Sequence, residues 1–169
     1  MNTLVKHTLT ASVLSTMMAT TAFAAPAEAP PVFVKKVADG LISRLKADHA
    51  KLQNNPAVVK TIVRQNLDPY IDSQSFTRIV MGTYATNQYS TAAQRAQFER
   101  NFRETLIENY GSAFAKFSNQ SYSLRPYKET NSKNPVVTLD FNNKGEKIPV
   151  SFQLVDKGNQ WKIRNINVS

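Results

Sequence analysis

Around Asn119 the hydrophobic period of this chain changes from about four residues to two, and that change restricts the fold more than any single motif does. Upstream, apolar residues fall on one side of a helix; downstream they alternate along strands. A chain that spends its first part on helices and its last part on strands reads as α+β, with N-terminal helices packed on one face of a curved antiparallel sheet of four to five strands.

The helical half divides at its breakers. Phe33, Val37, Leu41 and Leu45 recur every four residues, so roughly 32–52 is an amphipathic helix, softened at Gly40. Asn55 is placed to cap a second helix that has Pro56 in its first turn and ends at Asp68-Pro69. Asp72 or Ser73 can cap a third, carrying Phe76, Ile79 and Val80 and closed by Gly82. Thr91-Ala92-Ala93-Gln94 has the spacing of a capping box, and the helix it opens runs to about Phe117. Phe98, Phe102, Leu106, Tyr110 and Phe114 form its apolar stripe, while Arg95, Arg100, Arg103, Glu104 and Glu108 supply a solvated face.

In the second half, Tyr122 and Leu124, then Val136, Val137, Leu139 and Phe141, then Ile148, Val150, Phe152 and Leu154, then Trp161, Ile163, Ile166 and Val168 mark the strands. Asn142-Asn143-Lys144-Gly145 and Asp156-Lys157-Gly158-Asn159 are hairpin turns, which makes the sheet antiparallel. The helical stripe and the apolar sheet face each need a partner. Phe98, Phe102, Leu106 and Tyr110 are therefore expected to face Leu139, Val150, Phe152 and Trp161. Two such layers make a core, or leave between them a gap that takes an apolar ligand.

The first 24 residues read as an address. Lys6 and His7 precede an uncharged run ending in Ala22-Phe23-Ala24, the small-x-small pattern of a signal peptide, with cleavage expected after Ala24. A membrane anchor is the alternative, but the run is rich in Ser and Thr and short against the roughly 20 apolar residues a span requires. Residues 25–31 (APAEAPP) read as a flexible Pro/Ala-rich leader, and 32–169 as one domain, since 169 residues at 41% apolar suffice for one core. Loss of Lys6 with the signal leaves 20 basic against 12 acidic side chains, a net charge of +8. Those charges are scattered, without a basic block or an aromatic-interleaved RNA motif, so nucleic acid is not the expected partner. An anionic surface or an acidic protein suits them, as does plain solubility. Arg125, Lys128, Lys144, Lys147 and Lys157 are the candidate partner or headgroup face.

Most catalytic chemistry is missing its residues. With no Cys there is no thiolate zinc site and no Cys nucleophile. His49 is the single histidine once the signal is gone, too little for a metal site. Asp68, Asp72, Asp140 and Asp156 lie near element ends, where caps and turns account for them; Asp68 or Asp140 as the base of a small exported enzyme is the alternative. No metal or cofactor is expected.

The segments Asn66-Leu67-Asp68-Pro69-Tyr70-Ile71-Asp72, Ile79-Val80-Met81-Gly82-Thr83-Tyr84, Gln94-Arg95-Ala96-Gln97-Phe98 and Leu106-Ile107-Glu108-Asn109-Tyr110, with Gln160-Trp161-Lys162-Ile163 near the end, resemble in order and spacing the toluene-tolerance family of MlaC-type periplasmic phospholipid-binding proteins. The resemblance spans about residues 30–169. It implies a fold similar to the nuclear-transport-factor-2-like cones, holding phospholipid tails between helices and sheet with the headgroup outside. It also implies a monomeric, non-enzymatic periplasmic carrier that maintains outer-membrane lipid asymmetry. Such a carrier shuttles lipid between an outer-membrane lipoprotein–porin complex and an inner-membrane ABC transporter with an MCE-domain ring. On this reading Phe76, Val80, Phe98, Phe102, Leu106, Tyr110, Leu139, Val150, Phe152 and Trp161 line the lipid pocket. Two departures go with it: Ala85 stands where relatives often have Trp, and relatives continue past the strand matching Ile163–Ser169, so the chain reads as truncated at its C-terminus. A ligand-free interaction module with a solid interior remains the further alternative.

Overall fold

The computed structural model of the chain describes residues 28–52, 55–116, 120–129 and 131–169, with the side chains of 56 and 109–116 outside the description. The expected signal peptide and its cleavage site lie outside the described residues.

The helices are α1 (Pro30–Ala47), α2 (His49–Leu52), α3 (Pro56–Asn66), α4 (Ser73–Met81) and α5 (Ala92–Lys116), with short 3-10 turns at Asp68–Tyr70 and Gly82–Ala85. The starts of α3, α4 and α5 have their expected chemistry. The Asn55 side chain accepts from the Ala57 N–H, and Pro56 follows where a missing N–H costs nothing. Asp72 caps α4 by accepting from the Ser75 N–H. At α5 the capping box is reciprocal: Gln94 N–H donates to Thr91 Oγ1 at 3.2 Å, and Thr91 N–H donates to Gln94 Oε1 at 2.8 Å. The first helix differs from its sequence reading. It begins at Pro30, inside the stretch read as leader, and breaks at Asp48 rather than softening at Gly40. The buried Asp48 carboxylate lies between Arg44 and Lys51, each at 3.0 Å. Glu28, also in that stretch, gives its carbonyl to the Trp161 indole N–H at 2.9 Å.

Strands β1 (Tyr122–Leu124), β2 (Val136–Asn143), β3 (Glu146–Asp156) and β4 (Trp161–Val168) form an antiparallel sheet in the order β1-β2-β3-β4. The β2–β3 turn is the two residues Lys144 and Gly145, both at positive φ, with Asn142 Oδ1 accepting the Gly145 N–H. The pairs Leu139↔Val150, Val137↔Phe152 and Phe141↔Ile148 put these side chains on one inner face. On β4, Gln153 and Leu154 pair with Asn165 and Ile163, two residues apart, so β4 carries one extra residue there. This bulge keeps Ile163 and Ile166 on the same face although they are three apart in sequence, and it bends the sheet.

The helix lying directly on that face is α1. Phe33, Val34, Val37, Ala38, Leu41, Ile42 and Leu45 are all buried, and α1 packs on β2 and on α3. The longest helix packs instead on α3 and α4; of its described side chains only Ile107 is buried. Of the α5 residues expected to face the sheet, Phe102 and Leu106 do so across a space shared with Val150 and Phe152, and α1 lies on the sheet itself. Tyr122 on β1 donates to Asp39 of α1, tying the sheet edge to that helix. Burial, and then the bond to Asp39, raises the Tyr122 hydroxyl above its ordinary value.

Candidate functional site

The space in front of α5 is a cavity of about 490 Å³, within the range of small-molecule sites. Five groups of residues enclose it. From α1 come Val34, Val37, Ala38, Leu41, Ile42 and Leu45, the stripe that also touches the sheet; from α3 and just beyond it, Val63 and Leu67. Ile71 and the α4 residues Ser73, Phe76 and Thr77 form a third wall, and Phe102, Arg103, Leu106 and Ile107 of α5 a fourth. The sheet gives Phe141, Val150, Phe152, Ile163, Ile166 and Val168. The wall reaches solvent at its rim, where Val168 is 62% exposed and the Arg103 side chain 46%.

Only four of these lining side chains are polar: Asp68, Ser73, Thr77 and Arg103. Arg103 pairs with Asp68. The Ser73 hydroxyl donates to Glu99 at 2.6 Å. The Thr77 hydroxyl is buried and has no hydrogen-bond partner among the described residues. Everything else offered to an occupant is hydrocarbon, which favours burying an apolar molecule and gives no way to hold a small polar one.

The expected pocket residues divide between wall, core and surface. Phe76, Phe102, Leu106, Val150 and Phe152 line the cavity. Leu139 and Trp161 are buried but belong to the surrounding core rather than to the wall. Val80 is 53% exposed and Phe98 38%, with Phe98 stacked on Phe102 at 5.9 Å between ring centres. The Tyr110 side chain lies outside the described residues. Sequence reasoning missed the α1 stripe as a wall, although the apolar residues at helical spacing from Phe33 to Leu45 were the available signal.

The basic candidates do not come together on one face. Arg125 is engaged with Asp140 on the sheet side opposite the cavity, where Lys147 also adds to the positive field around that carboxylate. Lys144 sits in the β2–β3 turn, and Lys128 is exposed beyond β1. Lys157, in the β3–β4 turn, contacts Asp72 at 3.2 Å. It stands at the far end of β3 from Lys144, roughly 33 Å away for an 11-residue strand.

Of the two carboxylates considered as a base, Asp140 is held below the usual carboxylate range, first by its hydrogen bonds from Arg125, and points away from the cavity. Asp68 lines the cavity but is committed to Arg103. Among the described residues no group of three acidic or histidine side chains is placed to hold a metal, and no helix is long and apolar enough to cross a membrane.

A family model described as MlaC protein matches residues 35–169. The chain is 28% identical over 144 residues to the toluene tolerance protein ttg2D of Pseudomonas putida, a match covering 85% of this chain and 66% of that protein. It is 31% identical over 105 residues to the intermembrane phospholipid transport system binding protein MlaC of Haemophilus influenzae, covering 62% of this chain and 48% of that one. The matches thus span less than two thirds of either relative's length. Among solved structures, the phospholipid-binding protein from Ralstonia solanacearum in complex with a phospholipid superposes with a TM-score of 0.76 at 27% identity, covering 84% of this chain and 79% of that one.

Proposed function

We propose, from the premise that the chain belongs to the MlaC protein family, that it is a periplasmic phospholipid carrier whose cargo tails occupy the cavity between α1, α3, α4, α5 and the inner face of the sheet. The apolar lining of that cavity carries the reading. Its physical sense lies in the cost of the alternative: at about 0.8 kcal/mol per methylene, exposing two tails of roughly 30 methylenes to water costs on the order of 25 kcal/mol. A lipid does not cross an aqueous compartment alone at useful rates. Passing from a bilayer into a hydrocarbon-lined cavity changes its surroundings little, so the exchange runs near balance and its direction is set by whatever machinery the carrier meets.

In this reading the chain is exported, cut after Ala24, and moves as a monomer between an outer-membrane lipoprotein–porin complex and an inner-membrane ABC transporter with an MCE-domain subunit, so preserving outer-membrane lipid asymmetry. The name of the Haemophilus relative, an intermembrane phospholipid transport protein, supports that setting. No bond is made or broken in such a task. A base with a depressed pKa on the wrong side of the sheet suits it better than it suits an enzyme. An interaction module with a solid interior fits poorly with a cavity of this size.

The test is direct. Protein purified from cells with its membranes present, extracted with organic solvent and analysed by mass spectrometry, is expected to yield phospholipid at close to one molecule per chain. A folded sample that yields none overturns the proposal.

A further inference from the structure

The four polar groups of the cavity wall are not spread around it. Glu99 and Arg103 are one turn apart on α5 and meet Ser73 and Asp68, at the entry to α4 and in the turn before it. Thr77 is one turn beyond Ser73 on α4, so Ser73 and Thr77 share a helix face. The polar end of the cavity is therefore a seam between α5 and the α4 entry. Among the described residues it holds one cation, Arg103, and one buried hydroxyl without a hydrogen-bond partner, Thr77.

We propose that this seam is a headgroup subsite in which Arg103 leaves Asp68 to bind the phosphate of the lipid, while Thr77 donates to the ester region below it. The inference rests on the phospholipid reading of the cavity. Asp68 is fixed by its place at the start of a 3-10 turn before Pro69 and is only 13% exposed as a side chain, whereas the Arg103 side chain is far more open and can swing. A guanidinium presents its donors as a planar fork that suits a carboxylate and a phosphate alike, so partner exchange keeps Arg103 paired throughout. With cargo absent, the Asp68 carboxylate keeps the cation neutralised at the rim of an otherwise hydrocarbon wall. With cargo present, the phosphate competes for the same fork. Thr77 supplies the second recognition element: a buried hydroxyl seeks an acceptor, and the ester carbonyls of a diacyl lipid offer one at the junction of tail and headgroup.

The experiment incubates the full chain with vesicles containing equal amounts of phosphatidylglycerol and of diacylglycerol with the same acyl chains, re-isolates the protein and measures the ratio of the two lipids bound. The parent is expected to favour the phospholipid on the order of tenfold, the effect of one charge-assisted contact at a half-open site. Arg103→Gln is expected to bring the ratio close to one, and Arg103→Lys to restore part of it. Asp68→Asn, which frees Arg103 from its competitor, is expected to raise the ratio. Thr77→Val is expected to lower uptake of both lipids and leave the ratio alone, because both carry the esters. An ion pair with a merely structural role predicts that Asp68→Asn and Arg103→Gln change stability together and leave the ratio at the parent value; that result overturns the subsite. A parent that takes up both lipids equally overturns it as well while leaving the carrier reading in place. A parent that takes up neither sinks the carrier reading and the subsite with it.

Discussion

Asp72 shows how a single carboxylate can be asked to do two things. It caps α4 and it receives Lys157 from the β3–β4 turn, so it joins a helix start to a hairpin. Burial pushes its carboxyl up, but the Ser75 hydroxyl and N–H and the Lys157 ammonium together outweigh that and hold it below its ordinary value of 3.8. A carboxyl depressed in the folded state contributes stability that is fully present above its unfolded pKa and is lost as pH falls through the folded one. Asp72→Asn keeps the cap and removes the charge; it is expected to cost on the order of 1 kcal/mol in urea unfolding at pH 7, with parent and variant converging as pH falls through the lowered folded-state value. The cavity wall offers a second residue-scale test. Phe102→Trp and Phe152→Trp are expected to lower bound phospholipid by filling space, with little change in the melting temperature of the detergent-stripped protein; unchanged lipid beside a loss of about 1–3 kcal/mol in the stripped protein would return both to ordinary core. These two were legible in the sequence because each lies mid-stripe on an element whose apolar face is unambiguous. Val80 and Phe98 were not separable from them. Periodicity says which side of a helix is apolar, and these two lie toward the ends of that side, where the neighbouring element has already fallen away.

At the scale of elements, most boundaries could be read because each rests on local chemistry: the Asn55 and Asp72 caps, the Thr91–Gln94 box, the Lys144-Gly145 turn. What local chemistry could not reveal is which helix the sheet selects. Both α1 and α5 carry apolar stripes, and it is that of α1, buried from Phe33 to Leu45, that lies on β2, while Phe102 and Leu106 are left across the cavity. The β4 bulge was equally hidden, since Ile163 and Ile166 in a strict two-residue alternation would face opposite ways. The glycines separate local from tertiary demands cleanly. Gly40 lies mid-helix in α1 with nothing within 4 Å of an added Cβ, so Gly40→Ala is expected to stabilise the protein by about 0.5–1 kcal/mol. Gly145 has equally open surroundings but a φ of +92°, so Gly145→Ala is expected to lower stability by about 1 kcal/mol through the backbone alone. Urea midpoints of the pair should move in opposite directions; a shift of the same sign in both would contradict the account of one of them.

For the whole molecule, helices before strands was enough to give the α+β layout, and two broad apolar faces in a chain without Cys were its most informative feature. The basic surplus is less simple than a single face, because Arg125 and Lys157 are engaged with carboxylates and Lys128 lies beyond β1, away from Lys144 and Lys147 at the β2–β3 turn. If Lys144 and Lys147, near the β2–β3 turn, guide approach to anionic surfaces, Lys144→Glu with Lys147→Glu should slow lipid exchange with anionic vesicles at low salt, converge with the parent at high salt, and leave the amount bound unchanged. Equal rates at every ionic strength would end that idea. The position of α5 carries a larger consequence. Since its Phe102 and Leu106 meet the sheet across the cavity, a cargo lying there stands in for side chains as the filling between two walls, and loading becomes part of the calorimetry of the fold. Heat must then melt protein and cargo contacts together, and at a free-lipid level one hundred times its dissociation constant the loaded state gains about 2.7 kcal/mol. Scanning calorimetry of lipid-loaded and detergent-stripped protein should give a higher transition temperature and a larger heat-capacity step for the former, so that the melting curve becomes a gauge of how full the carrier is.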